Sequence, residues 1–586
     1  MSFSRGRGIR VFTKVCVSVF LLSFSLQVIY ASEDIILRVN GKAYARYDYS
    51  DLLDYSYAIP DQKSYTILNA SAQSFNDTEN LIVGISLDEI FPVMVEAWEL
   101  KVVIGLDYFN LKDPELAELL PHYLLFIGKL QHDGSIQTAE LPHIELDLIG
   151  EVSTEKSMEI WVSWEGINEL KAEIQRFATM HAVEVHTLEV PKISSKLVQT
   201  QRGGGAVPDV VMVQADYINE LVQSNAIQAL DYLDSTALEK AGKASFSLYG
   251  KQWAIPFYYD SQIMICNADI FTKANINPTA IRNLSDLQKA ATTIRDASVL
   301  KGSGQAVVPM SWNVFSAYWL LPFQYGFGKT YLVESNGSIR VNDKPTIDAV
   351  AYLLSLIDQG LLSADERDAM LSNFVSGRTA IMLSASYMIP ELIRLNVPFH
   401  VLAFPINQDT GRPIAPILDF KGFSITKRSR NTVLAKRLIQ YLCGLGVQQR
   451  FPNAVYKLPA LPGAMLGHAS AEGVRNAIQK SASAGVGIPA DIAYGVYKNI
   501  LWNILRLIID RKFTISDGLN EAQRLIDAQL KDLLSRTPSS FGYTYITFEG
   551  ENEHEATKST VQNDEPDADS PADTGNGFFD WLRKLW

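Results

Sequence analysis

Cysteine is scarce in this chain, with three residues among 586. Cys16 lies in an N-terminal apolar run, and only Cys266 and Cys443 lie beyond it. Two cysteines are too few for the disulfide framework that small secreted domains use, so we expect both to be buried free thiols.

A basic patch is also missing. The chain has 52 Lys and Arg against 65 Asp and Glu, a formal net charge of −13, and the basic residues are scattered. Because binding to phosphate backbones needs a basic stripe, the composition argues against nucleic acid as a partner.

Strong catalytic motifs are absent as well. His181 and His186 are five residues apart but span a helix-to-strand transition, which disfavours a zinc pair. The glycine run 203–205 precedes a strand and lacks a following Lys-Ser or Lys-Thr, so it predicts a flexible turn rather than a phosphate loop. We therefore expect no enzyme, no catalytic residues, no metal and no cofactor.

The first 32 residues have the pattern of a targeting segment. Basic residues, among them Arg10 and Lys14, precede an apolar run of about fifteen residues that ends in the small-residue sequence IYAS. This order is typical of a cleaved signal peptide and predicts a periplasmic or extracytoplasmic protein. The alternative is an uncleaved anchor, although the run is shorter than the ~20 residues of a spanning helix.

The length predicts several domains, because a single core rarely grows beyond ~250–300 residues. Residues 33–152 have the pattern of a small β-rich α+β domain, in which Asn40-Gly41 predicts a hairpin turn. We predict a helix over 86–98 (SLDEIFPVMVEAW). Further strands are predicted at TILNASAQ, KVVIGLDYF and LLFIGKLQ.

From residue 157 to 534, strands alternate with amphipathic helices, which predicts βαβ units around parallel sheet. The strand candidates include MEIWVSW, VEVHTLEV, PDVVMVQA and AVVPMSW, and the helix candidates include INELKAEIQRFATMHA and NLSDLQKAATTIRDAS. WAIPFYYDSQIMICN and DFKGFSIT are predicted to cross between two lobes. The predicted fold class is therefore α/β, with two lobes and a hinge behind a small β-rich domain.

The C-terminal end has a different composition. Residues 549–577 are rich in acids and nearly free of large apolar residues, which predicts a disordered linker. Residues 578–586 (FFDWLRKLW) have the pattern of an amphipathic peg for a membrane surface or a partner groove. The alternative is a tail that docks on its own protein.

Four segments, in this order along the chain, carry a family resemblance: MEIWVSWEGINELKAEIQRFATMHAVEV, GGGAVPDVVMVQADYINELVQSNAIQALD, YGKQWAIPFYYDSQIMICNADIFTKANIN and FVSGRTAIMLSASYM. They resemble the first strand and helix, the Pro-Asp strand, the hinge-crossing strand and the strand to the ligand cleft of the ABC-importer solute-binding proteins. That family includes maltose-binding protein, and the resemblance covers residues 157–534.

The resemblance implies a hinged cleft that binds a polar solute, most simply a sugar, and a permease that receives it. The residues implied for the cleft are Ser163, Trp164, Glu165, Asp216, Tyr259, Asp260, Trp312, Asn313, Phe315, Tyr387, Asp419, Phe420 and Tyr494. Val213 stands where maltose-binding protein has an aromatic residue, and Tyr494 or Gly495 replaces a Trp, which argues against maltodextrin itself. We expect Asp260→Ala to remove binding with little loss of stability.

Residues 36–150 also bear a fainter likeness to the molybdopterin-binding oxidoreductase domain of the sulfite oxidase type, carried by VNGKAYARYDYSDL, IVGISLDEIFP and LKVVIGLDYFN. In that family a Cys thiolate binds molybdenum, whereas the corresponding loop here, NASAQSFNDTENLIVG, has no Cys. Because a soft metal needs its thiolate, we expect a degenerate scaffold for binding or assembly.

These observations favour an extracytoplasmic solute-binding protein that delivers a sugar or oligosaccharide to an ABC import permease by hinged closure. One alternative is an assembly or sensory protein that keeps the two-lobe fold and docks partners through its appended ends. A second alternative is an oxidoreductase built on the N-terminal domain.

Overall fold

The structure is a computed structural model, and it describes residues 34–536 apart from short gaps. The gaps are 49–51, 54, 60–65, 69–80, 92–94, 106, 114–115, 117–119, 121–122, 132–135, 139–142, 153–155, 232, 234–237, 298–306, 335–336 and 465–471. The predicted signal peptide, acidic linker and C-terminal peg lie outside the described residues.

The strands are β1 (Asp34–Val39), β2 (Lys42–Asp48), β3 (Tyr57–Ile59), β4 (Thr66–Ile67), β5 (Leu81–Ser86), β6 (Val95–Ile104), β7 (Asp107–Lys112), β8 (Tyr123–Leu130), β9 (Ile136–Thr138), β10 (Ile144–Val152), β11 (Ser157–Val162), β12 (Glu184–Glu189), β13 (Val210–Gln214), β14 (Ser247–Leu248), β15 (Lys251–Gln252), β16 (Ile255–Asn267), β17 (Val308–Trp312), β18 (Leu362–Ala364), β19 (Thr379–Ala385), β20 (Phe399–Leu402), β21 (Ile406–Asn407), β22 (Arg412–Pro413), β23 (Ile417–Ile425), β24 (Leu458–Pro459) and β25 (Val486–Gly487).

The helices are α1 (Leu87–Ile90), α2 (Ile167–Met180), α3 (Ile193–Arg202), α4 (Ile218–Gln223), α5 (Lys240–Ser245), α6 (Ala268–Lys273), α7 (Leu284–Asp296), α8 (Ala317–Gly326), α9 (Lys344–Asp358), α10 (Arg367–Val375), α11 (Ile389–Arg394), α12 (Thr432–Cys443), α13 (Leu445–Ala454), α14 (Glu472–Ala482), α15 (Ile492–Ile509) and α16 (Ile515–Arg536). Within the described part of the chain, no helix is both long enough and apolar enough to span a bilayer.

The chain divides into two compact units. The first unit comprises Met1–Met158, Leu170–His186 and Asn431–Arg450, as far as these are described. The second unit comprises Glu159–Glu169, Thr187–Arg430 and Phe451–Trp586, again as far as described.

Two five-stranded sheets form the N-terminal part of the first unit, in the orders β2-β1-β10-β6-β7 and β3-β5-β8-β4, with β9 beside β8. One apolar core draws on both sheets, with Leu37, Leu100 and Leu146 from the first and Ile85 and Leu125 from the second. The described part of this region is therefore mostly β-strand, with little helix.

The predicted hairpin at Asn40-Gly41 is confirmed, since β1 and β2 pair antiparallel around it. Asn40 and Gly41 have φ values of 51° and 77°, as the two central residues of a type I′ turn require. The Asn40 side chain donates to the carbonyl of Gly150 (3.0 Å) and accepts from its N–H (3.1 Å), which ties the turn to β10.

Two predictions in this region are wrong in detail. The helix predicted over 86–98 ends at Ile90, and β6 begins at Val95 within the same stretch. The strand predicted at KVVIGLDYF is the end of β6, a turn at Gly105 and the start of β7. Leu100 and Val102, two residues apart on β6, are both buried in the core. Burial with a period of two is typical of a strand rather than a helix.

Buried polar side chains join the helical segments of the first unit to one another and to one of its strands. Arg450 donates to both carboxylate oxygens of Glu173 at 3.0 Å, and the Tyr441 hydroxyl donates to the same carboxylate at 3.1 Å. The Gln449 side chain donates to the carbonyl of Ala58 at 2.5 Å. Residues 431–450 thus hydrogen-bond directly to the N-terminal β region.

Two more ionisable groups are buried in the first unit. Glu89 is 2% exposed, and burial raises its pKa well above the ordinary value, although the charge of Arg450 opposes the shift. His181 is also 2% exposed against the ring of Phe177, and burial lowers its pKa to about 3.

The second unit is built on one long sheet in the order β12-β11-β13-β23-β16-β19-β17-β18. The predicted strands and helices from β11 to α7, and the strands β17, β19 and β23, are confirmed by the structure. The helix α7 begins with a capping box between Asn283 and Asp286, which accounts for its sharp start.

The strand β16 links the two halves of this sheet, because its two parts pair with different strands. Its first part, Ile255–Ser261, pairs with β23, which also pairs with β13. Its second part, Gln262–Asn267, pairs with β19 and β20. Nearly every residue of β16 is buried, as expected for a strand covered on both faces. The prediction of a crossing strand is confirmed.

Both cysteines beyond the N-terminal run are free thiols. Cys266 is fully buried on β16, as expected, while Cys443 at the end of α12 is only partly buried.

Candidate functional site

Charged side chains meet on one face of the sheet where β16 and β23 run side by side. Asp260 pairs with Asp419 across the two strands, and Tyr258 pairs with Lys421. Because side chains alternate along a strand, these four residues, two apart on each strand, project from the same face. The face carries two acids, a lysine and a phenol.

Asp260 is the centre of the site and is 1% exposed. One carboxylate oxygen, Oδ1, accepts from Lys457 Nζ and from Ser386 Oγ, each at 2.7 Å. The other, Oδ2, lies 3.9 Å from Lys421 Nζ. Burial raises the pKa of Asp260, but the two lysines and the hydrogen bonds outweigh it and hold the pKa below the ordinary value.

Asp419 is held by two donors. Lys421 Nζ lies 2.7 Å from one carboxylate oxygen, and Gln214 Nε2 lies 2.9 Å from both. Burial, with the nearby charges of Asp216 and Asp260, raises the pKa of Asp419 against the opposing effect of Lys421. For Lys421 burial lowers the pKa, and the charges of Asp419 and Asp260 more than reverse this.

The loop after β11 brings an aromatic residue and a third acid. Trp164 has φ of 72°, and Lys421 Nζ lies 5.8 Å from the centre of its ring. Glu165 accepts from Lys457 at 3.3 Å. Gly166 follows with φ of 76°, and a Cβ there would lie 2.7 Å from Val455, so the tight loop needs glycine.

Lys457 is the most buried cation of the site, with a side chain that is 0% exposed. Its Nζ lies 5.8 Å from the ring centre of Tyr258 and 6.0 Å from that of Tyr387. Tyr387 follows β19, in the other half of the sheet from Tyr258. The lysine therefore contacts groups from both halves.

A second ion pair joins the two halves. Lys498 on α15 donates to Asp216, which follows β13, at 2.5 Å. The neighbouring Tyr497 donates to Gln324 on α8 at 2.5 Å, so α15 packs on the half that contains β17 and α8. Burial lowers the pKa of Lys498, and the charge and hydrogen bond of Asp216 raise it overall. The ring of Tyr494 lies 5.9 Å from Lys498 Nζ.

Several buried polar atoms at this site lack a hydrogen-bond partner within the described residues. They are Asp260 Oδ2, Asp216 Oδ1, Asn313 Oδ1 and Tyr258 Oη. Since a buried polar group without a partner costs about 1–3 kcal/mol, such a cluster is typical of a place where a ligand supplies the missing hydrogen bonds. Apart from the phenol, these atoms are acceptors and need a donor.

The structure brings together part of the predicted set. Trp164, Glu165, Asp260, Tyr387 and Asp419 surround the two lysines, and Asp216 with Tyr494 surrounds the third. Ser163 is partly buried at the end of β11, beside Trp164.

Other predicted residues lie elsewhere. Tyr259 and Phe420 pack together, with ring centres 4.5 Å apart, on the opposite face of the sheet from Asp260, because they alternate with it. A Cβ at Gly242 would lie 2.7 Å from the Phe420 ring, so α5 covers that face. Strand geometry thus separates two aromatic residues that the sequence groups with Asp260.

The predicted residues after β17 fall into two environments. Trp312 is 1% exposed and packs on Phe323 with ring centres 4.3 Å apart, a core contact. Phe315 is partly buried, and Arg506 lies over its ring at 4.4 Å. Asn313 is partly buried and carries an unpaired carbonyl oxygen.

Sequence reasoning missed the three cations, Lys421, Lys457 and Lys498, and one neutral residue, Gln214. Only Lys421 had a local signal, since it interrupts the apolar strand DFKGFSIT two residues after an acid. Lys457 and Lys498 come from distant turns and helices, where the sequence offers no pattern. No cluster suited to a metal ion occurs among the residues described.

A family model described as "Bacterial extracellular solute-binding protein" matches residues 172–477, just over half of the chain. Among curated proteins, an arabinooligosaccharide-binding protein of Bacillus subtilis (strain 168) is 23% identical over 160 residues. That alignment covers 26% of this chain and 35% of the relative, so the chain spans about a third of the relative it matches.

Solved structures show the same two-lobe fold. The maltose/maltodextrin-binding domain MalE of Bdellovibrio bacteriovorus, bound to maltotriose, superimposes with a TM-score of 0.56 at 16% identity, covering 64% of this chain and all of that one. The GacH receptor of Streptomyces glaucescens, solved with and without acarbose, has a TM-score of 0.56 at 18% identity and covers 66% of this chain and all of its own. Fold, crossing strand and family match agree, and the chain belongs to the bacterial extracellular solute-binding protein family.

Proposed function

We propose that this protein captures a polyhydroxylated solute, a sugar or oligosaccharide, at the site around Asp260 and delivers it to an ABC import permease. The observation that carries the proposal is the set of unpaired buried polar atoms around Asp260, at the strand that both halves of the sheet share. The chemistry of the site is binding, and no bond-breaking step is assigned to it.

The residues suit a polyol in two ways. Carboxylate oxygens of Asp260, Asp216 and Glu165 accept hydrogen bonds from hydroxyl groups in the plane of a sugar ring. The rings of Trp164 and Tyr387 offer faces on which the C–H faces of a pyranose pack. The names of the relatives, which bind arabinooligosaccharide, maltotriose and acarbose, support a sugar.

Closure of the two halves over the solute is the proposed mechanism. Ser386 and Tyr387 from one half meet Asp260 and Lys457, and Lys498 meets Asp216. A solute that bridges both sides favours the closed state through contacts that exist only there. The permease then distinguishes the closed protein from the open one.

The location belongs to the same proposal. The extracellular family supports a site of action outside the cytoplasm. We assign residues 1–32 to a cleaved signal peptide, because basic residues precede an apolar run there.

The other segments of the chain are part of the same proposal. Residues 578–586 are assigned to a membrane or protein contact. The domain limits at 33–152 and 157–534 stand as part of the proposal.

The test is thermal unfolding and Trp fluorescence of the purified protein against mono- and oligosaccharides, polyols and amino acids. A bound solute raises the free energy of unfolding by ~2.7 kcal/mol at a hundredfold excess over Kd. The control is Asp348→Asn, which alters only the exposed pair with Lys344 and should bind as wild type does. A flat response to every sugar would reject the proposal.

A second candidate, an assembly or sensory role, draws on one observation. The N-terminal sheets form a compact unit with residues 170–186 and 431–450, and the residues around Asp260 belong to the other unit. Saturable sugar binding together with solute uptake that depends on the protein would exclude this candidate. A response to no solute would favour it.

A further inference from the structure

The charges at the site do not balance. Four carboxylates, those of Glu165, Asp216, Asp260 and Asp419, face three ammonium groups, those of Lys421, Lys457 and Lys498. Asp419 lies 2.7 Å from Lys421 Nζ and accepts from Gln214 Nε2 at both oxygens, and these contacts favour its ionised form. The described site therefore carries one surplus negative charge.

Each ammonium group of the site already donates to at least one carboxylate, while two carboxylate oxygens receive no hydrogen bond. Lys457 donates to Asp260 and Glu165, Lys421 to Asp419, and Lys498 to Asp216, at distances between 2.5 and 3.3 Å. Asp260 Oδ2 and Asp216 Oδ1 are buried and have no hydrogen-bond partner among the described residues. A ligand that donates hydrogen bonds would satisfy these two oxygens.

Neighbouring charges at the rim do not cancel the surplus. Arg367 lies 5.2 Å from the ring of Tyr387, but its side chain is exposed and the adjacent Glu366 is exposed with the opposite charge. Solvent screens such charges much more than buried ones. The four carboxylates and three ammonium groups, which are buried or at most about one-third exposed, therefore dominate the potential that a bound solute meets.

We propose that the solute carries a protonated amine on its polyol frame, as an amino sugar does, and that the site discriminates against anionic sugars. The inference rests on the proposed function and names the class of solute. An ammonium group donates up to three hydrogen bonds to the unpaired carboxylate oxygens and neutralises the surplus charge. A uronate or sugar phosphate would add negative charge where every cation is already paired.

The aromatic residues of the site are consistent with this class. The rings of Trp164, Tyr258 and Tyr387 each lie within about 6 Å of a lysine Nζ, so they already stabilise positive charge. An ammonium group of the solute would enter a region that is shaped for cations by both carboxylates and ring faces.

The experiment is calorimetric titration of the full protein with three matched probes, namely glucose, glucosamine and glucuronic acid, and with the corresponding disaccharides. It is run at about pH 6, where an aliphatic amine carries its proton. The expected order of affinity is amine over neutral over acid, with at least about a tenfold step between neighbours, since one surplus charge acts at hydrogen-bond distance. The preference for the amine should shrink as salt is added.

Two charge variants test the cause. Asp216→Asn removes the surplus and should reduce the amine-to-neutral affinity ratio, whereas Lys498→Met doubles the surplus and should increase it. The ratio is the readout because any effect on closure changes both affinities together. Asp348→Asn, in an exposed pair, is the control and should leave the ratio unchanged.

The outcomes distinguish a failure of the amine inference from a failure of the proposed function. Equal affinity for glucose and glucosamine, or tightest binding of glucuronic acid, would overturn the amine inference while sugar binding stands. Binding of none of the probes, together with no thermal response to any sugar in the wider panel, would overturn the proposed function and the inference with it.

Discussion

Replacement of Asp260 by Ala is expected to destabilise the fold, contrary to the expectation from sequence that Asp260 can be removed at little cost. The carboxylate is 1% exposed and accepts from Lys457 and Ser386 at 2.7 Å. Breaking a buried ion pair by removing one partner costs ~3–5 kcal/mol, because the other charge is left buried. Lys457 keeps Glu165 at 3.3 Å, so we expect the low end of that range, about 3 kcal/mol.

The assay is thermal unfolding followed by circular dichroism. A loss of this size corresponds to a fall in Tm of roughly 6 °C for a large domain. The matched control is Asp348→Ala, which breaks an exposed pair with Lys344 and should shift Tm by no more than about 1 °C. The double variant Asp260→Ala/Lys457→Met should recover much of the loss, since a buried pair replaced by apolar groups is often neutral. If Asp260→Ala melts as the wild type does, the buried-pair reasoning is refuted.

Three further predictions concern the buried groups of the first unit. Glu173→Gln leaves the Arg450 guanidinium without its carboxylate and should cost about 3 kcal/mol, measured as a loss of Tm; an unchanged Tm would contradict the contact. His181 has a pKa of about 3, so the unfolded chain takes up the proton first and stability falls by ~1.4 kcal/mol per pH unit between about pH 6.5 and 3. His181→Leu should flatten that slope, whereas His186→Leu, at an exposed histidine, should not. The pKa of Glu89 is raised by burial, so its contribution is present below its ordinary pKa and lost as pH rises through the raised value; Glu89→Gln should therefore melt above the wild type at about pH 8 and with it at about pH 4.

The fold of the second unit could be predicted from sequence because its signals are local. The crossing strand 253–267 was predicted because WAIPFYYDSQIMICN resembles the hinge-crossing strand of the solute-binding proteins, and the structure has β16 there. The start of α7 could be predicted from Asn283 and Asp286, whose side chains satisfy the first N–H groups of the helix. In the first unit, the turn at 40–41 was predicted from a dipeptide that tolerates positive φ.

The site could be predicted only in part, because its geometry depends on contacts far apart in sequence. Asp260 and Asp419 were identified, but Lys457 reaches Asp260 across 197 residues and Lys498 reaches Asp216 across 282. The face on which a strand residue lies depends on register, and Tyr259 therefore points away from its neighbour Asp260. The three lysines, and the surplus negative charge of the site, could be identified only from the three-dimensional structure.

The hydrogen bond between Gln449 and Ala58 spans 391 residues, so its two partners are synthesised far apart in time. At ~5–20 residues per second, the strands near Ala58 leave the ribosome roughly 20 to 80 seconds before their partner helix exists. During that interval the surface that residues 431–450 cover is open to solvent and to other chains. The N-terminal region therefore completes these contacts late, because contacts between residues far apart in sequence form slowly.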